Sequence, residues 1–138
     1  MSSVNKALVV KWFEDVWNQG RSDAIDVMMA PDAVVHGLGP TSQSAEQFKA
    51  FHSTFRDAFP DVTIRVDDLV AEGDLVAARW SATATHLGSG LGFAATNRPA
   101  QFTGMVFVRI ENGKLVEGWN SFDQLGMMTQ LGMVMRPE

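Results

Sequence analysis

The sequence contains no cysteine among its 138 residues. Without cysteine the chain cannot form a disulfide, provide a thiolate nucleophile or bind a metal through sulfur. The three histidines, His36, His52 and His86, lie in separate segments and lack the HxH or HExxH spacing typical of zinc sites. We therefore expect neither a metal site nor cysteine chemistry.

Long apolar runs and basic clusters are missing as well. The chain has no run of eighteen apolar residues, which is about the length that a membrane-spanning helix needs. Its net charge is −5 and its Lys and Arg residues are scattered singly, which argues against a surface that follows nucleic-acid phosphates. The first residues, MSSVNKALVVKWF, show no apolar core followed by a small-residue cleavage site. The sequence thus predicts a cytoplasmic protein that binds neither membranes nor nucleic acid.

The amino-terminal half carries the apolar periodicity of three helices. A first helix would end at Gly20, and a short second helix would end near Ala30 because proline follows it. Ser44 and Gln47 fit a capping box at the start of the third helix. The apolar positions are Val9, Phe13, Val16 and Trp17 in the first helix, Ile25, Met28 and Met29 in the second, and Phe48, Phe51, Phe55 and Phe59 in the third.

After Val62 the apolar period changes to two, which is typical of strands. The predicted strands lie at residues 33–37, 62–66, 75–86, 101–110 and 115–122. Asn112-Gly113 between two such runs is a strong hairpin signal, and the glycine-rich segment 87–99 is predicted to be a loop. This pattern predicts one α+β domain over residues 1–138, in which three helices cross the concave face of a curved antiparallel sheet.

Asp123 stands at the end of the last predicted strand. If Trp119, Ser121 and Asp123 share one face, the bulky Trp119 indicates that this face points towards the helices. A carboxyl group desolvated there would be suited to act as a general acid or base. The alternative is that Asp123 caps a terminal helix over residues 124–131, and the residues themselves leave both interpretations open.

The neighbouring predicted strand, residues 101–110, carries Val106, Val108 and Ile110 on one of its faces. We assign this apolar stripe to the outer face of the sheet. Because exposure of such an apolar stripe to water costs free energy, we expect the protein to form a homodimer through it.

Three segments carry a resemblance to a known family. They are VKWFEDVWNQGRSDAIDVMMAPDAVVHG at residues 10–37, FHSTFRDAFPDVTIRVDDLVAEGDLVAARW at 51–80 and EGWNSFDQLGMMTQLG at 117–132. They resemble the SnoaL-like polyketide cyclase or ester cyclase family, within the nuclear-transport-factor-2-like superfamily. The resemblance implies a cone-shaped fold around a pocket, but this fold hosts several different reactions.

The resemblance also implies a mechanism. In the family's cyclases an aspartate of the last strand acts as acid and base in an intramolecular aldol closure that needs no cofactor, and Asp123 in FDQLG matches that aspartate. His36, where family members often carry histidine, would stabilise the oxyanion or position Asp123; a histidine packed in the core is the alternative. The implied protein is a cofactor-independent acid/base enzyme that acts on a small apolar carbonyl compound.

Other chemistries of the same fold fit less well. Epoxide hydrolases resembling the limonene enzyme place an aspartate two residues after an arginine such as Arg79, whereas this chain has Ser81 there. The ketosteroid isomerases use a tyrosine, and this chain has none. Arg79 would bind an anionic group of the ligand or pair with Asp123, or else lie on the surface. An epoxide hydrolase, an isomerase and a non-catalytic binding protein remain the alternatives.

The remaining candidates for the pocket wall are apolar. They are Phe13, Trp17, Phe51, Phe55, Met105, Phe107, Trp119, Met127 and Leu131. We expect Trp17, Phe51, Phe55, Met105 and Trp119 to hold the substrate, with core packing as the alternative for each of them.

Overall fold

A computed structural model describes residues 2–133 of the chain. Its helices are α1 (Ser2–Trp12), α2 (Ser22–Met28), α3 (Ala45–Ala58) and α4 (Gln124–Gln130). A π-helical segment, Phe13–Asn18, directly continues α1, and we call it the π-turn. The helices predicted for the amino-terminal half are therefore present. No helix within residues 2–133 is long and apolar enough to cross a membrane.

Six strands form one sheet in the order β2-β1-β6-β5-β4-β3. The strands are β1 (Met29–His36), β2 (Gln43–Ser44), β3 (Thr63–Glu72), β4 (Leu75–Thr85), β5 (Pro99–Glu111) and β6 (Lys114–Phe122). The predicted α+β class is confirmed. One pairing differs from the expected antiparallel pattern, because β1 lies parallel to β6. Parallel neighbours need a long connection, and here it comprises β2, α3 and the three strands β3 to β5.

Two local signals explain how the elements begin and turn. Ser44 Oγ accepts a hydrogen bond from the Gln47 backbone N–H at 3.2 Å, and Gln47 Oε1 accepts one from the Ser44 N–H at 2.8 Å. The capping box predicted for α3 is thus present. Asn112 and Gly113 both have positive φ, 52° and 75°, as a tight hairpin between β5 and β6 requires.

The helices cover one face of the sheet, which we call the inner face. Phe48, Phe55 and Phe59 of the α3 stripe are buried against it. Burying one such side chain contributes about 1.5–3 kcal/mol relative to leaving it exposed. The predicted stripe therefore fastens α3 to the sheet.

The π-turn is held by two side chains of α3 and by the backbone of β3. His52 Nε2 lies 2.6 Å from the Val16 carbonyl oxygen; because a carbonyl only accepts, this ring nitrogen carries the proton. Arg56 donates to the Trp17 carbonyl at 3.2 Å. Asn18 accepts from the Ile64 N–H at 2.6 Å and donates to the Ile64 carbonyl at 3.0 Å. These bonds satisfy carbonyls of the wide turn and fix its position.

His52 should make stability depend on pH. Burial lowers the pKa of its imidazole below the usual value, and the Val16 carbonyl opposes this shift. In the unfolded chain the pKa is about 6.5. As the pH falls through about 6.5 the unfolded state takes up a proton more readily than the folded state. The stability that neutral His52 provides is therefore complete above this pH and is lost below it.

Urea unfolding at pH values on either side of about 6.5 tests this prediction. We expect the free energy of unfolding to fall less on acidification in His52→Gln than in the wild type, because glutamine can still donate to Val16 but does not titrate. Both proteins keep His36 and His86, so the difference between the two curves isolates His52. Parallel curves would contradict the prediction.

Candidate functional site

β6 contains one extra residue relative to β5. Ile110 pairs with Leu115 and Arg109 pairs with Glu117, so Val116 forms a bulge. Because side chains alternate along a strand, an extra residue exchanges the two faces for everything beyond it. Leu115 is buried before the bulge, and the residues that point inwards after it are Gly118, Asn120 and Phe122.

The pairing with β5 fixes this assignment. Gly118 and Asn120 lie opposite Val108 and Val106, which are both buried under the helices. The expectation that Val106, Val108 and Ile110 form an outer stripe is therefore wrong, since all three belong to the inner face.

A cavity of about 90 Å³ lies between the inner face and the helices. Its lining is mostly apolar. The aromatic residues around it are Trp12, Phe13, Trp17, Phe48, Phe51, Phe55, Trp80, Phe102 and Phe122. Gly104 of β5 makes room for this wall, because a Cβ at that position would overlap the Trp80 ring.

Trp17, Phe51 and Phe55, which the sequence predicts to hold the substrate, line this cavity. The π-turn carries Trp17 over the α3 stripe, where its ring meets Phe51 and Phe55 edge-on with centroids 6.4 and 5.6 Å apart. Offset and edge-on packing of this kind fixes ring orientation. Their binding of a substrate stays a prediction.

Asn120 is the amide side chain of the cavity lining. It is half-buried, and its Nδ2 donates to the His36 carbonyl at 3.1 Å. That bond uses one of the two amide protons and leaves the other N–H and the amide oxygen for a further partner. Glu117 also borders the cavity, but its carboxylate bonds to His36 on the outer face.

Asp123 lies outside the cavity lining. Its side chain is exposed, and its Oδ1 accepts a hydrogen bond from the Gly126 N–H at 2.9 Å, which makes it the N-cap of α4. The expectation that Asp123 lies between sheet and helices is wrong, because the bulge turns Trp119, Ser121 and Asp123 to the outer side. Of the two interpretations left open by the sequence, the structure shows the cap.

His36 and Trp119 lie together on the outer face. Their rings stack with centroids 5.6 Å apart, and His36 Nε2 is 2.7 Å from Glu117 Oε2. The Arg109 guanidinium lies 5.7 Å from the Trp119 ring centroid, on the same face. The bulky indole is therefore accommodated outside the core by an aromatic and a cationic neighbour. Neither His36 nor Trp119 lines the cavity.

Arg79 and Met105 are neighbours on the outer face as well, and both are exposed. Arg79 binds Asp68, with 2.7 Å between Nε and Oδ2, and lies 3.8 Å from Asp67. Hydrogen bonds from Ser81 and Arg65 hold the pKa of the Asp67 carboxyl below its usual range. Two carboxylates thus do accompany Arg79, but this cluster does not border the cavity, so it cannot activate water there. No three His, Asp or Glu residues in the described range of 2–133 are grouped as a metal site.

Asn120 and Gly118 are the site features that sequence reasoning missed. A polar residue on the same face as Phe122 and a glycine inside a strand were the available signals, since a strand glycine often marks close approach of a ligand. Both were hidden by the assignment of Trp119 to the inner face. Leu115 is buried and Phe122 packs against the core, although residues at this odd spacing lie on opposite faces of a regular strand. An extra residue between them is therefore required, and it brings Gly118 and Asn120 to the inner face.

The chain matches a known family over most of its length. The sequence model of the SnoaL-like polyketide cyclases matches residues 7–131. A search of curated proteins finds no match.

Solved structures share the same fold. IdmH, a proposed polyketide cyclase from Streptomyces antibioticus, is 31% identical with a TM-score of 0.82, and the match covers 93% of this chain and 98% of that one. AclR, a proposed hydroxylase from Streptomyces galilaeus, is 26% identical with a TM-score of 0.87, covering 100% and 91%. A proposed polyketide cyclase from Acidithiobacillus ferrooxidans is 28% identical with a TM-score of 0.81, covering 98% and 99%. The predicted nuclear-transport-factor-2-like fold is confirmed.

The contribution of the Asp123 cap to the free energy of unfolding can be measured directly. Asp123→Ala should lower the free energy of unfolding by about 0.5–2 kcal/mol, because the Gly126 N–H loses its acceptor. Asp123→Asn keeps an acceptor at the same position and should stay close to the wild type. Chemical denaturation of the three proteins tests this, and equal stability of the Ala and Asn variants would contradict the cap.

Proposed function

Because the chain belongs to the SnoaL-like polyketide cyclase family, we propose that its cavity binds a small apolar carbonyl compound and promotes an aldol-type ring closure within it. The position of Asn120 carries this proposal, since its amide lies on the inner face of a mostly apolar wall. Ligand sites typically combine an apolar lining with a few polar groups that fix orientation. No cofactor enters the proposed reaction.

The volume of the cavity limits the size of the substrate. At about 90 Å³ it is smaller than typical sites for drug-sized ligands, which occupy roughly 300–1,000 Å³. We therefore propose a compact substrate of one or two rings.

Asn120 would act on the carbonyl group. One N–H of its amide stays on the His36 carbonyl, and the other would donate to the substrate oxygen. Such a donor stabilises the negative charge that would develop when the neighbouring carbon gives its proton to a water molecule. The enolate carbon would then attack a second carbonyl of the same substrate, which forms the carbon–carbon bond as the π bond of that carbonyl breaks, and the new alkoxide would take the proton back from the hydronium ion. The aromatic walls would hold the two carbonyl groups within reach of each other.

The acid/base role of Asp123 stays a prediction. Asp123 follows Phe122, which lines the cavity, but its carboxylate caps α4 at the surface. The role of His36 in oxyanion stabilisation likewise stays a prediction, and its ring lies on the outer face with Trp119. Asp123→Asn keeps the cap acceptor, so a change in kcat of that variant would report proton transfer rather than loss of structure.

Binding without turnover is the second candidate function. The observation in its favour is that Glu117 is the lone titratable residue in the lining of the described cavity, and its carboxylate faces outwards to His36. A protein of this kind would use the same apolar wall and the same amide to hold its ligand. Binding of a 1,5-dicarbonyl compound, which can close a six-membered ring by an aldol step, without its conversion would favour this candidate.

We also propose that the protein forms a homodimer through the outer face. Val70, Ala77, Phe107, Trp119 and His36 are paired across five strands into one continuous row, which we call the outer row. Val70 is 65% exposed and Phe107 54%. A two-fold axis brings the same patch of two copies together, so the outer row of one copy would cover that of the other. This surface replaces the stripe predicted from the sequence.

Asn120→Leu tests the proposed function. The variant should bind acetophenone about 2- to 12-fold more weakly, because one hydrogen bond of net 0.5–1.5 kcal/mol is lost. Its affinity for ethylbenzene, which has the same ring and no oxygen, should not change. Trp12, Trp17 and Trp80 line the cavity, so quenching of intrinsic fluorescence provides the measurement.

The hydrocarbon also serves as the control for folding. A variant that has lost its structure would lose both ligands, whereas loss of the hydrogen bond affects the ketone alone. Equal weakening of both ligands in a variant that unfolds at the same temperature as the wild type, or a wild type that binds neither ligand, would contradict the proposal.

Phe107→Glu tests the homodimer. A two-fold interface would bring two glutamates together in an apolar contact, so we expect the dimer to dissociate at micromolar concentration in a sedimentation experiment. Leu125→Glu is the matched control, because Leu125 is 68% exposed but lies on α4, away from the outer row. A monomeric wild type, or equal effects of both substitutions, would contradict the proposal.

A further inference from the structure

Gly118 lies in the interior of β6 and lines the cavity. Glycine in a strand interior has a cost, because it loses more conformational freedom on folding than other residues and offers no side chain for packing. A structural reason for this glycine should therefore be visible.

The fold itself does not require glycine at this position. Gly118 is not among the residues with positive φ, so a side chain would cause no backbone strain. A Cβ would lie 3.9 Å from the Phe107 carbonyl oxygen and 4.0 Å from Asn120 Nδ2, which are ordinary contact distances. Gly104 of β5 differs, because a Cβ there would overlap the Trp80 ring.

What the missing side chain provides is space beside the Asn120 amide. The point that a Cβ would occupy is 4.0 Å from Nδ2, so an atom of a ligand that rests there is next to the cavity's amide donor. Without a side chain, the peptide surface of β6 is left uncovered on the inner face. A planar group can lie on such a surface at a separation of about 3.5–4.0 Å over its whole area.

We propose that Gly118 forms the floor of a subsite that selects a flat carbonyl-bearing end of the ligand, such as an aryl ketone or a ring enone. The flat group would lie on the Gly118 peptide, with its oxygen at Asn120. This inference rests on the proposed function, because it assumes that the cavity binds a carbonyl compound. It adds a shape requirement that the Asn120 contact alone does not impose.

Gly118→Ala tests the subsite with two methyl ketones of equal carbon number, acetophenone and 2-octanone. The added methyl group lifts a rigid ring off the strand and away from Asn120, whereas a flexible alkyl chain can bend around it. We expect acetophenone to bind about tenfold more weakly, which corresponds to 1.4 kcal/mol. Binding of 2-octanone should change less than about twofold, below the net value of one hydrogen bond.

Gly39→Ala is the matched control. Gly39 also lacks a positive φ, and a Cβ there would lie 4.0 Å from its nearest neighbour, Gln43 Nε2, but the residue does not line the cavity. The variant should bind both ketones like the wild type, and thermal unfolding of both glycine variants should show no loss of stability.

The outcomes separate this inference from the proposed function. If Asn120→Leu weakens ketone binding while Gly118→Ala binds acetophenone like the wild type, the proposed function stands and the subsite is wrong. Equal weakening of both ketones in Gly118→Ala would also overturn the subsite, because it would show a general loss of volume. If the wild type binds neither ketone, the proposed function fails and the subsite with it.

Discussion

The single extra residue at Val116 decides what this protein presents to its cavity. Ile110 pairs with Leu115, yet Arg109 pairs with Glu117, so the alternation of β6 changes phase at that point. Without the bulge, Trp119 and Asp123 would point towards the helices. With it, Gly118 and Asn120 do. The character of the site, apolar with one amide rather than acidic, thus depends on a local feature of the backbone.

The sequence predicted well those features that rest on local chemistry. The capping box at Ser44, the Asn112-Gly113 hairpin and the aromatic stripe of α3 each depend on residues a few positions apart. The bulge was not predicted because it is defined against a partner strand, and no turn residue marks it. Trp119 added to the error, since a large aromatic side chain suggests burial. On the outer face the Trp119 ring instead packs against the ring of His36.

The charged groups around the site lie on the outer face of the sheet and not on the cavity side. The outer face holds the pair His36–Glu117 and the cluster of Arg79 with its carboxylates. The inner face holds aromatic rings and Asn120. The dielectric constant among these aromatic side chains is low. A neutral amide can form hydrogen bonds there without the desolvation cost of an ion. Selectivity inside the cavity would then come from shape and from one dipole, while the ionic groups serve the stability of the surface.

The parallel pairing of β1 with β6 has a consequence for the order in which the molecule assembles. Asn120 is fixed by the carbonyl of His36, 84 positions earlier in the chain, whereas the hairpins β3–β4 and β5–β6 need only neighbouring segments. Contacts between distant segments carry the larger loop-closure entropy and slow folding. The polar end of the cavity is therefore completed only when the two halves of the chain meet. A partly folded molecule that already contains the β3–β6 meander would have no functional site.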